Sequence, residues 1–321
     1  MPLTPYLDAP KLILLLSENY AITSPRDLRA LVRMAVEAEE AGFDGVQISE
    51  HILLGPGADS DGRLVNQRDY VMPGNQDPAT PWPSSIVLLS AIAGATTRLR
   101  LLAGAVIAPL RHPVLLAKEL ATLDLISEGR LIVLPTVSWH QPEYEQLGVP
   151  WAVRGELLDE HLEAWRLLWQ PSPASFEGRH YRFENIYLEP KPFRPEGPTL
   201  WFGGSSMHPR LVRRIVAHGQ GFAPMFSPTP EDFERLASAM IAAGRDISEL
   251  EIAAWIAGRF RDDHSLADLD RALNVVPTLA KRGYSTIAIK PAQFVENPRD
   301  VGSLCRKFAA AASSLASDGD R

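Results

Sequence analysis

Eight short apolar runs alternate with helical segments along this chain, and this alternation limits the possible folds more than any other feature. The runs are too short for helices and are typical of strands buried on both faces of a parallel sheet. They occupy residues 11–16, 43–48, 99–107, 131–134, 199–202, 221–225, 250–257 and 284–289. Eight such repeats predict an α/β fold, the (β/α)8 TIM barrel, since the open doubly wound sheet usually has fewer repeats.

Two stretches interrupt the alternation and predict insertions. Residues 52–83 are rich in Gly, Pro, Asp and Asn without a clear period, and loops of this length are usually functional or disordered. Between residues 176 and 192, aromatic and polar residues alternate around a glycine, which predicts a hairpin. We therefore expect a single domain over residues 1–321, with insertion loops at about 52–83 and 173–198 on the carboxyl-terminal face of the barrel.

Composition and charge exclude several classes of partner. The formal net charge is −7 and no Lys/Arg-rich run occurs, so we expect no nucleic-acid partner. The single cysteine, Cys305, excludes a disulfide framework and is compatible with a reducing cytosol, while His208, His218 and His264 lack metal-ligand spacing. The longest nearly apolar stretch, residues 101–110, is about half of a membrane helix. We expect a soluble cytoplasmic protein without a metal or membrane contact.

The fourth run is followed by polar side chains, which points to a ligand site. Within residues 129–154, the apolar residues 131–134 lead into Ser138, Trp139 and His140. Ligands bind at the carboxyl ends of strands in parallel α/β folds, and hydroxyl, indole and imidazole groups meet there. Trp139, His140 and Tyr144 could stack on a planar ring, or they could pack at the rim of the barrel.

Two other runs carry candidate residues whose role the sequence leaves open. His51 follows the second run and could act as a general acid or base, or it could be a loop histidine that caps the strand. Glu50 beside it either orients the ring or faces solvent. The small residues Ala103, Gly104 and Ala105 indicate either a bulge against which a ligand ring lies or a kink without a ligand.

The sequence Gly203-Gly204-Ser205-Ser206 follows the fifth run and precedes a helix. Glycines allow close approach of a ligand to the backbone, and a helix N-terminus offers unpaired N–H groups to an anion. The alternative is a tight turn with a serine N-cap. The four residues match neither GxGxxG nor the Walker pattern, so a Rossmann or P-loop site is not supported.

Five segments between Phe43 and Gln220 together resemble the luciferase-like monooxygenase superfamily of flavin- and deazaflavin-dependent oxidoreductases. They read FDGVQISEH, TTRLRLLAGAVIAPLRHPVLLAKELATLDLISEGRL, SWHQPEYEQLGVPWAVRGELLDEHLEAWRLLW, FEGRHYRFENIYLEPKP and LWFGGSS. The resemblance implies a TIM barrel that binds FMN or the deazaflavin coenzyme F420 at its carboxyl-terminal face, and it is strongest to the F420-dependent branch. It also implies a small-molecule substrate and is compatible with a homodimer.

Matched position by position, the resemblance implies roles for residues at four strand ends. His51 matches a histidine that serves as acid/base in some F420-dependent dehydrogenases. Gly104 and Ala105 match a bulge, often with a non-prolyl cis peptide, that backs the tricyclic ring, and residues 203–206 match a turn that contacts the cofactor tail or phosphate. The residues implied to bind the cofactor are Glu50, Gly104, Ala105, Val137, Ser138, Trp139, Gly203, Gly204, Ser205 and Ser206.

The chain departs from the family pattern after the fourth strand. Many relatives carry GVGVGW there, where this chain has LPTVSW from Leu134 to Trp139. The larger side chains could alter the space over the ring or the choice of cofactor. Sugar-phosphate dehydrogenases of the group carry a catalytic glutamate near this strand end, and Trp139 in its place argues against the same sugar chemistry.

Three functions are compatible with the resemblance. The first is hydride transfer between reduced F420 and a small organic substrate under the 52–83 loop, with His51 managing the proton. Candidate polar contacts in that loop are Arg63, Gln67, Arg68 and Tyr70. The second is an FMN-dependent monooxygenase, which would need dioxygen and a separate flavin reductase. The third is a non-catalytic paralogue that binds a flavin and leaves it unreactive.

Overall fold

The structure, a computed structural model, describes residue 6 and residues 8–318, without the side chains of 315–318. The strands in this part of the chain are β1 (Lys11–Leu15), β2 (Gly45–Ile48), β3 (Arg100–Ile107), β4 (Leu131–Thr136), β5 (Ala174–Glu177), β6 (Arg182–Ile186), β7 (Thr199–Phe202), β8 (Gly221–Phe222), β9 (Glu251–Trp255) and β10 (Thr286–Ile289). The helices are α1 (Leu28–Glu40), α2 (Ser85–Ala95), α3 (Pro113–Ile126), α4 (Gln141–Gln146), α5 (Arg154–Leu168), α6 (Pro209–His218), α7 (Pro230–Ala242), α8 (Leu269–Lys281) and α9 (Val301–Asp318).

Eight of these strands form a closed barrel in the order β1-β10-β9-β8-β7-β4-β3-β2, and helices alternate with them along the chain. The TIM-barrel prediction is confirmed. The remaining strands, β5 and β6, pair antiparallel, so the hairpin expected between residues 176 and 192 is present. In the described part of the chain, no helix has both the length and the apolar character that crossing a membrane would require.

The chain divides into two compact units, each assembled from more than one stretch. Unit 1 contains the described residues up to Gln47, the segment Leu64–Tyr70 and the described residues from Leu200 onward. Unit 2 contains Ile48–Arg63 and Val71–Thr199. The expectation of a single domain stays a prediction.

In unit 2, the Arg130 side chain connects the start of β4 with the ends of neighbouring elements. Its guanidinium donates to the carbonyls of Ala93, Thr96 and Leu99 and to the Thr96 hydroxyl at 2.9–3.0 Å. Its Nε donates to the Ser127 carbonyl at 2.8 Å. Carbonyls at helix ends lack partners inside the helix, and one planar donor group satisfies several of them here. This explains why an arginine directly precedes the apolar strand that leads to the candidate site.

In unit 1, the segment Leu64–Tyr70 is held by hydrogen bonds although it comes from the middle of the long loop. Asn66 donates to the carbonyls of Asp262 and Ser265. Arg68 donates to the carbonyls of Ala292 and Val295, and Tyr70 donates to that of Ile256. We call residues 64–70 the anchored segment. All four loop residues that are candidate substrate contacts bind partners within the protein, since Arg63 also pairs with two aspartates and Gln67 donates to a carbonyl of the same segment. Their contact with a substrate stays a prediction.

Candidate active site

His51 lies three residues beyond β2 and contacts a buried carboxylate. All four residues of β2 are buried, so the strand fixes where the following residues emerge. The His51 Nδ1 atom lies 3.2 Å from Oε1 of Glu143, and the Glu143 side chain is fully buried. Glu143 belongs to α4, a short helix directly after β4. The pair therefore joins residues that follow two different strands.

Glu143 was not among the residues predicted from the sequence, and neither was α4. Besides His51, its carboxylate accepts hydrogen bonds from the backbone N–H of Ile52 at 2.9 Å and of Leu53 at 3.4 Å. It also accepts one from the Ser138 hydroxyl at 3.0 Å. Pro142 in the first turn of α4 and Glu143 after it are a start signal for a helix that could have revealed α4.

Two indole rings contact the His51 imidazole with perpendicular or steeply tilted planes. The ring centroids of His51 and Trp82 lie 5.1 Å apart at 67°, and those of His51 and Trp139 lie 5.7 Å apart at 82°. The Trp82 Nε1 atom is buried and has no hydrogen-bond partner among the described residues. A buried donor without a partner is costly unless something else accepts its hydrogen bond. The sequence predicted Trp139 here but gave no sign of Trp82, which comes from the end of the long loop.

His140 is buried beside these rings and acts as an acceptor. Its Nε2 accepts the backbone N–H of Gly55 at 2.8 Å, which requires that this nitrogen carries no hydrogen. Burial lowers the pKa of His140 below its ordinary value, and nearby Glu143 opposes this shift only in part. In its neutral form, His140 therefore holds the first part of the long loop in place.

The neutral His140 predicts a dependence of stability on pH. The pKa of His140 is lower in the folded protein than in the unfolded chain, so the unfolded chain binds a proton more readily. The free energy of unfolding therefore falls as the pH falls below about 6.5. His140→Gln keeps an acceptor for Gly55 but does not titrate. We expect the free energy of unfolding, measured with urea, to drop less between pH 7.5 and pH 5.5 in the variant than in the wild type. Equal drops in both proteins would contradict this assignment.

Glu50, the neighbour of His51, is buried and saturated with donors. Its carboxylate accepts both terminal nitrogens of Arg111 at 2.7 and 3.1 Å, the Ser85 hydroxyl at 2.7 Å and the Ile107 N–H at 3.0 Å. A bidentate pair of this kind has a defined geometry and is stronger than a neutral hydrogen bond. Glu50 thus links the end of β2 to the end of β3 and the start of α2. A contact between Glu50 and a cofactor stays a prediction.

The small residues of β3 form the expected irregularity. The peptide bond between Gly104 and Ala105 is cis, and the pairing of β3 with β4 shifts register between Gly104 and Val106. The bulge and the non-prolyl cis peptide implied by the family resemblance are therefore present. Ile107, two residues further on, donates to Glu50, so the irregular strand is tied to the residue that precedes His51.

The end of β4 has an unusual backbone at Ser138. Its φ of +59° is in the left-handed region, which is uncommon for a residue other than glycine and often marks a functional segment. The Ser138 hydroxyl donates to Glu143 and accepts the His140 N–H at 3.3 Å, and the Tyr144 hydroxyl donates to the Val137 carbonyl at 2.6 Å. The structure thus brings His51, Ser138 and Trp139 together, and their roles in catalysis and cofactor binding stay predictions.

Residues 203–206 follow β7 in unit 1. Gly203 and Gly204 are half-buried and both serines are exposed. The following helix, α6, has His208 as its N-cap, with Nδ1 accepting the Leu211 N–H at 3.1 Å, so the alternative of a serine N-cap is wrong. Binding of a cofactor tail by these four residues stays a prediction.

Comparison with known proteins identifies related sequences. A model of a protein family described as luciferase-like monooxygenase matches residues 12–288. The chain is 36% identical over 168 residues to an uncharacterized protein of Mycobacterium tuberculosis, covering 52% of this chain and 57% of that protein. It is 30% identical over 188 residues to the FMNH(2)-dependent dimethylsulfone monooxygenase of Pseudomonas putida, covering 58% of this chain and 46% of that enzyme. The chain thus spans about half the length of the curated relatives that it matches.

A solved structure shares the fold over nearly the whole chain. It is an F420-dependent secondary alcohol dehydrogenase in complex with an F420-acetone adduct, with a TM-score of 0.69 and 15% sequence identity. The superposition covers 95% of this chain and 99% of the dehydrogenase chain. At this identity the likeness concerns the barrel alone.

Proposed function

The chain belongs to the luciferase-like monooxygenase family, and from that premise we propose that it is an oxidoreductase that transfers hydride between reduced coenzyme F420 and a small organic substrate. The observation that carries the proposal is the His51–Glu143 pair, set between two indole rings at the ends of β2 and β4. A hydride transfer that makes or consumes a hydroxyl group needs a residue that exchanges a proton, and a paired imidazole can do so.

The residues around this pair are suited to a planar cofactor. Ala103, Gly104 and Ala105 leave one part of β3 without bulky side chains, and the buried Trp82 N–H has no partner among the described residues. When bound, a reduced deazaflavin or flavin would supply the two electrons that no amino-acid side chain provides. Val137 and Ser138 at the end of β4 are further proposed cofactor contacts in unit 2, and binding of a cofactor by residues 203–206 of unit 1 stays a separate prediction.

His51 would exchange the proton of the substrate oxygen, and its surroundings would keep water away. His51 is 9% exposed, and both neighbouring indoles present apolar surface to its ring. Exclusion of water strengthens electrostatic interactions with the reacting groups and limits loss of the hydride to solvent. The Trp82 N–H would donate a hydrogen bond to an oxygen of the substrate or the cofactor. The family resemblance implies that Trp139 takes the place of a glutamate of sugar-phosphate dehydrogenases, so we propose an apolar substrate.

A second candidate function is an FMN-dependent monooxygenase. The observation that favours it is the 30% identity to an enzyme from Pseudomonas putida named for its dependence on FMNH(2). The same barrel and the same histidine would then serve oxygen insertion into a small molecule. Consumption of dioxygen with supplied reduced FMN would support this candidate, whereas turnover under anaerobic conditions with reduced F420 would support the first. A homodimer and a cytoplasmic location stay predictions.

Titration of the intact protein with each cofactor tests the proposal. Trp139 lies beside His51, so binding of F420 or FMN there should quench its fluorescence. We expect F420 to bind at least about tenfold more tightly than FMN, a difference of roughly 1.4 kcal/mol. Trp139→Phe, which removes this reporter, should lose part of the quenching. Tighter binding of FMN would favour the monooxygenase, binding without turnover would favour the non-catalytic paralogue, and binding of neither would refute the cofactor assignment.

A further inference from the structure

We propose that Glu143 is a positioning residue with two effects on His51: it selects the tautomer in which Nε2 is the ring nitrogen that exchanges a proton with the substrate, and its negative charge stabilises the imidazolium that results. The inference deepens the proposed function and rests on it for the role of the substrate. Its structural part, the assignment of the hydrogen on the ring, concerns only residues of this chain.

The partners of the Glu143 Oε1 atom determine where the hydrogen lies. This oxygen is 2.9 Å from the Ile52 nitrogen and 3.4 Å from the Leu53 nitrogen, and a backbone N–H can only donate. The Ser138 hydroxyl is positioned to donate to the second oxygen of the carboxylate. All these neighbours are donors, which is the environment of an ionised carboxylate that only accepts. The His51 Nδ1 atom, 3.2 Å from the same Oε1, must therefore carry the hydrogen.

This assignment gives the two ring nitrogens of His51 different roles. A neutral imidazole carries a single hydrogen, so with Nδ1 protonated the Nε2 atom presents a lone pair. When an alcohol is oxidised, the hydroxyl proton would pass to Nε2, while the oxidised form of the cofactor, when bound, would accept the hydride that the carbon loses with the electron pair of its C–H bond. The resulting imidazolium then lies against the negative charge of Glu143. In the reverse direction, the same imidazolium returns its proton to the oxygen of the carbonyl product.

Glu143 also holds the backbone of Ile52 and Leu53, so the substitution that tests it must preserve those contacts. Glu143→Gln keeps one carbonyl oxygen for the two backbone N–H groups and for His51 Nδ1. Its amide NH2 replaces the second oxygen and can donate to the Ser138 hydroxyl. The variant therefore retains the shape and the tautomer and removes only the negative charge.

Nitrogen NMR of the full-length wild-type protein is the first test. The ring nitrogens are observed in the neutral form, which is reached by raising the pH until the imidazole signals stop moving. His51→Gln identifies the signals that belong to this residue. We expect the hydrogen on Nδ1, whereas free histidine prefers Nε2. A hydrogen on Nε2 would overturn the proposal, and the measurement needs neither cofactor nor substrate.

Kinetics of Glu143→Gln are the second test. We expect kcat to fall about 10- to 100-fold, as is typical for residues that orient a functional group, with KM and cofactor affinity within about twofold of wild type. Glu160→Gln is the matched control, because Glu160 also accepts backbone N–H groups, those of Arg179, His180 and Tyr181, but contacts no imidazole nitrogen. An unchanged kcat in Glu143→Gln, or an equal loss in Glu160→Gln, would overturn the proposal. If no cofactor gives turnover, the proposed function fails, while the NMR result still decides the tautomer.

Discussion

His51→Ala is expected to lower kcat about 1,000-fold while the affinity for the cofactor changes by less than about twofold, because acid–base catalysis by a positioned side chain contributes roughly 10²- to 10⁴-fold. The imidazole pairs with Glu143 and is nearly buried, so in the variant a water molecule cannot easily take over its proton exchange. Stopped-flow or steady-state turnover with reduced F420, together with fluorescence titration, separates the two effects. The expected pattern is a loss in kcat and in kcat/KM of similar size.

His112→Ala is the matched control for that experiment. His112 belongs to the same unit, but it is exposed at the start of α3 and its ring contacts Tyr181. We expect it to keep wild-type turnover and to lose only a little stability, since its side chain accepts the Val114 N–H as an N-cap. Wild-type turnover in His51→Ala would remove this residue from the mechanism. A loss of cofactor affinity as large as the loss of kcat would assign His51 a role in binding.

Lys290→Ala is expected to lower the free energy of unfolding by about 3–5 kcal/mol, which is typical when one partner of a buried ion pair is removed. Lys290 is fully buried at the end of β10, and its Nζ lies 3.5 Å from Oε2 of Glu18 and donates to the Asp69 carbonyl. Burial lowers the pKa of Lys290, while Glu18 opposes that shift by favouring the charged form. The variant leaves the Glu18 carboxylate buried without this cation and removes the donor that holds Asp69.

Chemical denaturation of three further variants tests the electrostatic origin of this loss. Lys290→Met combined with Glu18→Leu removes both charges, and we expect it to recover most of the lost stability because no charge is left buried without its partner. The control is Lys11→Ala, which removes a half-exposed lysine that pairs with Glu251 at 3.0 Å and should cost less than about 1 kcal/mol. Two results would contradict an electrostatic origin of the loss. One is a decrease in the free energy of unfolding of Lys290→Ala no larger than that of the control. The other is a double variant less stable than each of the single variants Lys290→Ala and Glu18→Leu.

The sequence predicted the barrel because strand formation depends on local patterns. Each of the eight predicted runs overlaps a strand of the barrel, and only bounds differ. The run at 221–225 shortens to the two residues of β8, since Pro224 has no N–H to donate to a neighbouring strand. The irregularity at Gly104 was likewise visible, because a glycine between two alanines in an apolar run is a local signal.

The candidate site was only partly predictable because its contacts join distant parts of the chain. His51 and Ser138 could be found at strand ends, but the carboxylate that pairs with His51 is 92 residues away. Arg111 binds Glu50 across 61 residues, and no spacing in the sequence signals that pair. Trp82 lies in a segment without periodicity, so its position beside His51 depends on the folded loop. The sequence therefore located the strand ends of the site, and the folded structure supplied its charge pairs.

The anchored segment divides the long connection between β2 and α2 into two parts. Because residues 64–70 are fixed by Lys290 and by hydrogen bonds to five carbonyls, the connection consists of two separate spans on either side of a fixed point. Each span has its own closure entropy, and doubling the length of one costs only about 0.6 kcal/mol without disturbing the other. Natural variants of this barrel can therefore lengthen or shorten the span next to His51 and the span next to Trp82 independently, as long as the fixed point between them is retained.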